Sequence, residues 1–117
     1  MRRGRRALGK QLSGTPGACP ARFVQLIEFQ TTRIDEVRVL ERRWRDAIES
    51  AGVSSAMSIT KDRDRHNRYV WMIQFPSHDN AAQCDELEET RYIVEQLMKL
   101  ADGPAVFRNL DVLDRLP

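Results

Sequence analysis

Histidine, cysteine and long apolar runs are all scarce in this chain, and each scarcity closes off a class of function. The two histidines, His66 and His78, and the two cysteines, Cys19 and Cys84, are spread over 117 residues. A structural zinc site needs about four ligands at paired spacings; no such pairing occurs, so no metal is expected. Cys19 lies in a glycine-rich leading segment and Cys84 in an expected helix, which makes a poor covalent staple. A disulfide framework is therefore not expected, and a reduced, cytoplasmic setting fits. No apolar stretch comes near the ~20 residues of a membrane span. The leading segment has twin arginines but lacks the apolar core of a secretory signal. There is no glycine-rich phosphate loop, no G-x-S-x-G elbow and no catalytic Cys–His spacing, and no cofactor is expected.

Acid is missing from the start of the chain. Of 19 basic side chains, six (Arg2, Arg3, Arg5, Arg6, Lys10 and Arg22) lie in residues 1–22, which hold no Asp or Glu. That leaves 13 bases against 17 acids in the rest, a mildly acidic body. The basic isoelectric point thus belongs to the leading segment. Residues 1–21 have too few large apolar side chains to offset the entropy of ordering, and are expected to be a disordered basic tail. Contact with nucleic acid through "RRGRR" is the weaker of its two readings, a solvated extension the stronger. Residues 22–117 are expected to form one domain.

Within that domain "FVQLIEFQ", from Phe23, reads as a strand. Ile34, Val37, Leu40, Trp44, Ala47, Ile48 and Ala51 then recur at helical spacing, with Thr32 or Asp35 as the cap and Gly52 as the stop. "VSSAMSIT" is a weaker strand and "KDRDRHNR" a charged connector. "YVWMIQF" is a strong strand ended by Pro76. A second helical region runs from Ser77 to "DGP", with Ser77 or Asp79 as its cap and Val94, Leu97, Met98 and Ala101 as its apolar stripe. "AVFRNLDVL" closes the chain as a strand. The order β-α-β-β-α-β is the ferredoxin-like α+β arrangement, a four-stranded antiparallel sheet with its helices on one face. In it the first and third strands are central, and they are the two most apolar runs.

A sheet covered on one side should alternate apolar with polar residues. These central strands do not: Phe23, Ile27 and Phe29 point one way and Val24 and Leu26 the other; Tyr69, Trp71, Ile73 and Phe75 oppose Val70 and Met72. Helices can cover one face. A second copy of the chain is the economical cover for the other, which predicts a homodimer with sheets packed face to face.

The strand "FVQLIEFQ", the helix ending near "RRW", "RYVWMIQFPSHDNAA" and "DGPAVFRNLDV" together resemble the dimeric α+β barrel superfamily, and more narrowly the antibiotic-biosynthesis-monooxygenase-like proteins of an uncharacterised actinobacterial subgroup. The resemblance spans about residues 23–113. It implies a homodimeric barrel, and it is compatible with activities as different as cofactor-free oxygenation and haem degradation. Oxygenase-type members usually carry a histidine just after the third strand. Here "NAAQCDEL" puts Asp85 at about that place, and His78 comes too early. Haem-degrading members use an asparagine on the first strand and a histidine late in the second helix; this chain has Gln25 on the first and no histidine in "TRYIVEQLMKL". Neither activity carries over by motif.

The candidate ligand contacts are therefore aromatic. Phe29, Trp44, Trp71, Phe75, Tyr92 and Phe107 can line a cavity between sheet and helices, with Gln25, Asn109 or Arg108 as polar contacts; plain core packing is the competing reading. Cys84, beside Asp85 and Glu86, reads as a small helix residue rather than a nucleophile, and "DELEE" as a solvated acidic helix end. Three functions fit these patterns: binding of a small apolar or aromatic molecule, cofactor-independent oxygenation of an aromatic or quinol substrate, and nucleic-acid association through the tail. No pattern assigns a reaction, so whether the chain is an enzyme stays open at this level.

Overall fold

A computed structural model describes residues 21–114; the expected basic tail, apart from Ala21, lies outside the described residues. The elements run β1 (Phe23–Gln30), α1 (Ile34–Ser50), β2 (Ala56–Lys61), β3 (Arg68–Phe75), α2 (His78–Asp85), α3 (Glu88–Leu100) and β4 (Val106–Asp111). The strands make one antiparallel sheet in the order β2-β3-β1-β4. The expected ferredoxin-like α+β topology is thus present, with β1 and β3 at its centre.

The register sorts the side chains onto two faces. One row across the sheet is Ile59, Trp71, Ile27 and Phe107; the next is Met57, Ile73, Gln25 and Asn109. Both belong to the face beneath the helices, where Phe23, Ile27, Phe29, Trp71, Ile73 and Phe75 meet Val37, Trp44 and Ile48 of α1 and Ile93 and Leu97 of α3 in one core. Each large side chain buried here stabilises the fold by about 1.5–3 kcal/mol. The opposite face carries Val24, Leu26, Val70 and Met72, all half-buried, with Val106 and Leu110 exposed.

Helix α1 ends as its sequence predicts. Gly52 adopts φ +76°, its N–H reaches the Glu49 carbonyl at 3.0 Å and the Val53 N–H the Ile48 carbonyl at 3.1 Å. This paired bonding satisfies the last carbonyls and needs a left-handed residue that glycine supplies without strain. The start differs from expectation. Neither Thr32 nor Asp35 caps it; the N-cap position is Arg33, with no side-chain cap. The Glu36 N–H goes to the Arg33 carbonyl at 3.1 Å rather than to a cap side chain, and the backbone before the helix is tied by Thr32 N–H to Asp102 Oδ2 at 3.1 Å and Arg33 N–H to Thr31 Oγ1 at 3.0 Å. Asp35 instead sits in the first turn with Glu36, where the helix dipole favours negative charge.

The second helical region is two helices, not one. Ser77 caps α2 as expected, accepting from the Asn80 N–H at 3.2 Å. The chain then breaks: Leu87 is extended (φ −70°, ψ 136°) and packs against the core. Two bonds hold the corner, Leu87 N–H to the Cys84 carbonyl at 3.2 Å and the Thr90 hydroxyl to the same carbonyl at 2.6 Å. The break turns the second helix, so its buried residues are Thr90, Ile93 and Leu97, whereas Met98 is 45% exposed.

Fully buried Thr31 fastens β1 to its surroundings. Its N–H donates to the Asn67 carbonyl at 2.9 Å and its hydroxyl to the Leu100 carbonyl at 2.7 Å. One residue thereby joins the β2–β3 hairpin, the central strand and the end of α3.

Candidate functional site: an aromatic box between sheet and helices

Trp71 stands on the central strand β3, opposite Ile27 on one side and Ile59 on the other. Trp44 reaches down from α1 and meets it edge-to-face, with ring centroids 5.2 Å apart at 82°. Phe29 and Tyr69 stack at 5.9 Å near one end of the sheet; Phe23 and Phe75 lie 6.4 Å apart at the other. Of the residues selected from the sequence, Phe29, Trp44, Trp71 and Phe75 are thus brought together, each no more than 1% exposed.

The two indoles differ in polarity. Trp44 Nε1 donates to Thr90 Oγ1 at 2.9 Å. Thr90 gives its only hydroxyl proton to the Cys84 carbonyl, which leaves the Cys84 thiol, 3.6 Å from the same oxygen, as a second donor into it. Trp71 Nε1 is buried and has no hydrogen-bond partner among the described residues. An orphaned buried donor costs about 1–3 kcal/mol, so this N–H is poised to gain by meeting an acceptor.

A polar corner adjoins the box. Gln25 is a diagonal neighbour of Trp71 across the β1–β3 pairing, within reach of long side chains. Gln25 Nε2 donates to Asn109 Oδ1 at 3.1 Å, and Phe107 lies one row away, 39% exposed. All six residues of β4 are exposed, so the helix-facing side of the sheet opens towards this edge. Arg108 points to the opposite face and forms an ion pair with Glu28 at 2.6 Å.

Tyr92 stands apart. It is 38% exposed on α3, with the Arg43 guanidinium 4.3 Å from its ring centroid and Glu89 bound to Arg43 at 2.7 Å. This cluster belongs to the solvent side of the α1–α3 seam. Along the same seam is a recess of about 490 Å³ lined by Arg33, Glu36, Val39, Leu40, Gln96, Lys99 and Leu100; none of the aromatic set contributes to it.

Two titratable groups near the box depart from their ordinary values. Burial pushes the Cys84 thiol up and the neighbouring Asp85 charge adds to the rise, against the polar surroundings that Thr90 and Trp44 provide. Asp85, exposed at the α2–α3 corner, has its carboxyl raised by partial desolvation, opposed by His78. His78 is exposed and packs edge-on to Phe23, centroids 5.1 Å apart. Thr90 is the residue that sequence reasoning missed. Its signal was present, since Thr90, Ile93 and Leu97 share helical spacing, but a threonine in an acidic run reads as surface.

No family model and no curated protein matches the sequence. Solved structures do match. A variant of SnoaB, a cofactor-independent oxygenase from Streptomyces nogalater, superposes with a TM-score of 0.71 at 14% identity, covering 84% of this chain and 99% of that one. A protein described as a candidate antibiotic biosynthesis monooxygenase from Caulobacter crescentus gives 0.65 at 9% identity, over 80% and 92%. Rv0793 from Mycobacterium tuberculosis gives 0.60 at 14%, over 83% and 100%. The fold is that of the antibiotic-biosynthesis-monooxygenase-like proteins. At such identities the likeness establishes the shared fold alone. Among the described residues no helix is long and apolar enough to cross a membrane.

Proposed function

We propose that this chain is a homodimeric α+β-barrel protein that binds a small apolar or aromatic molecule bearing a hydrogen-bond acceptor between its sheet and its helices. The unpaired Trp71 Nε1 carries this reading. In an otherwise satisfied aromatic environment, one buried donor without an acceptor favours a ligand oxygen or nitrogen over a bare hydrocarbon. Gln25, Asn109 and Phe107 form the entrance at the open β4 side, and Phe29, Trp44 and Phe75 are the apolar walls. The half-buried apolar residues on the far face of the sheet support the homodimer, because a surface of that character favours association.

The test is native mass spectrometry of purified protein for retained ligand, followed by thermal shifts against a panel of phenols, quinones and quinols. Binding is expected to raise the melting temperature of the native protein and not that of Trp71→Phe. An equal shift in both would refute the role given to Trp71, and no shift across the panel would refute the binding of this chemical class.

A second reading, cofactor-independent oxygenation of an aromatic or quinol substrate, is favoured by the likeness to SnoaB. It predicts oxygen consumption and product formation with the same panel, impaired by substitution at Trp71 or Gln25. Binding without turnover refutes it.

A further inference from the structure

The sheet face turned away from the helices carries an ion pair where its surroundings are apolar. Glu28 of β1 lies opposite Val70 and Val106, and Arg108 of β4 opposite Leu26. Val106 and Leu110 flank Arg108 on its own side of the strand, and Met72 lies beyond Leu26. The Arg108 Nη1 to Glu28 Oε2 distance is 2.6 Å, and the two side chains remain 53% and 26% exposed. A further charge on this face is Arg68, opposite Gln30 at the hairpin end of the sheet, and Arg22 and Asp62 continue the same side just beyond the strand ends.

Covering this pair with a purely apolar surface would strip water from both ions, which costs several kcal/mol per ion unless new polar partners replace it. A second copy of the same face supplies such partners. Two-fold symmetry presents the same two charges in reversed order, so each carboxylate can meet a guanidinium of the other chain. We propose that Glu28 and Arg108 bridge two copies of this chain, Glu28 to the partner's Arg108 and Arg108 to the partner's Glu28, and so set the register of the interface. This rests on the homodimer reading above.

Charge reversal tests it. In Glu28→Arg mixed with Arg108→Glu, one chain offers two cations and the other two anions. Repulsion within each chain is the same in every assembly, so any preference for the mixed dimer reports contacts between chains. Mass-tagged chains are mixed, re-equilibrated and counted by native mass spectrometry. The mixed dimer is expected in excess of the statistical proportion by about tenfold, the scale of a modest cross-interface charge coupling. The double variant Glu28→Arg/Arg108→Glu restores the pair within one chain and guards against misfolding of the single variants. It is expected to dimerise with itself and to form mixed dimers with the native chain about tenfold below the statistical proportion. Light scattering on the native chain comes first. A native monomer overturns the dimer reading and this inference with it. A native dimer with statistical mixing in both experiments overturns this inference alone.

Discussion

Replacing Thr90 with valine removes one oxygen from the centre of the protein and leaves the side-chain volume almost unchanged. That oxygen accepts from Trp44 Nε1 at 2.9 Å and donates to the Cys84 carbonyl at 2.6 Å. The Cys84 carbonyl keeps the Leu87 N–H at 3.2 Å, so it is not orphaned. Trp44 Nε1 is orphaned, since its indole is 1% exposed and out of reach of solvent. The expected loss combines an unsatisfied buried donor with one further lost hydrogen bond, about 2–4 kcal/mol together. For a domain of this size that lowers the melting temperature by about 10–20 °C. Thr90→Ser keeps the hydroxyl and loses a methyl group, and should cost only about 1 kcal/mol. The assay is urea unfolding at fixed protein concentration, because any dimerisation would make stability depend on concentration. The midpoint should fall and the slope should not change. If Thr90→Val comes within about 0.5 kcal/mol of the native chain, or if Thr90→Ser is the worse of the two, the polar node does not hold the α2–α3 corner.

The two tryptophans should respond differently to truncation. Trp44→Phe and Trp71→Phe remove similar volume, but Trp44→Phe loses a hydrogen bond while Trp71→Phe removes an unsatisfied donor, so without ligand Trp71→Phe should be milder by about 2–4 kcal/mol in the same unfolding assay. Cys84 should resist modification: in a Cys19→Ser background a thiol reagent should label the native protein at least about a hundredfold more slowly than the urea-unfolded chain, because labelling must wait for opening. A native rate close to the unfolded one would contradict the burial of the thiol. Asp85 gives a pH test. Its folded-state carboxyl is raised, so ionisation costs stability that is present below the ordinary carboxylate range and lost as pH rises through the folded value. Asp85→Asn should therefore stabilise the chain at neutral pH, with the gain fading in acid; a gain that grows in acid would reverse the assigned sign.

Much of this architecture is legible one element at a time. "FVQLIEFQ" and "YVWMIQF" announce central strands because they are apolar on both faces, and Gly52 announces a helix stop because the bonding there requires a left-handed residue. Leu87 was not legible. Its neighbours Glu86, Glu88 and Glu89 favour helix, and only the pull of the core on Leu87, with the Thr90 hydroxyl competing for the Cys84 carbonyl, breaks the helix there. Tyr92 was misplaced for the same reason: the break turns α3 so that Thr90 faces inward and Tyr92 faces solvent.

By itself the sequence determined the topology, the central pair of strands, and the presence of apolar side chains on both sides of the sheet, since these follow from local periodicity. The tertiary structure decided which aromatics share a box, that Trp71 is left without a hydrogen-bond acceptor while Trp44 has one, and that Arg108 pairs with Glu28 on the far face. Those facts depend on register and on residues far apart in the chain, and spacing along the sequence does not encode such distances.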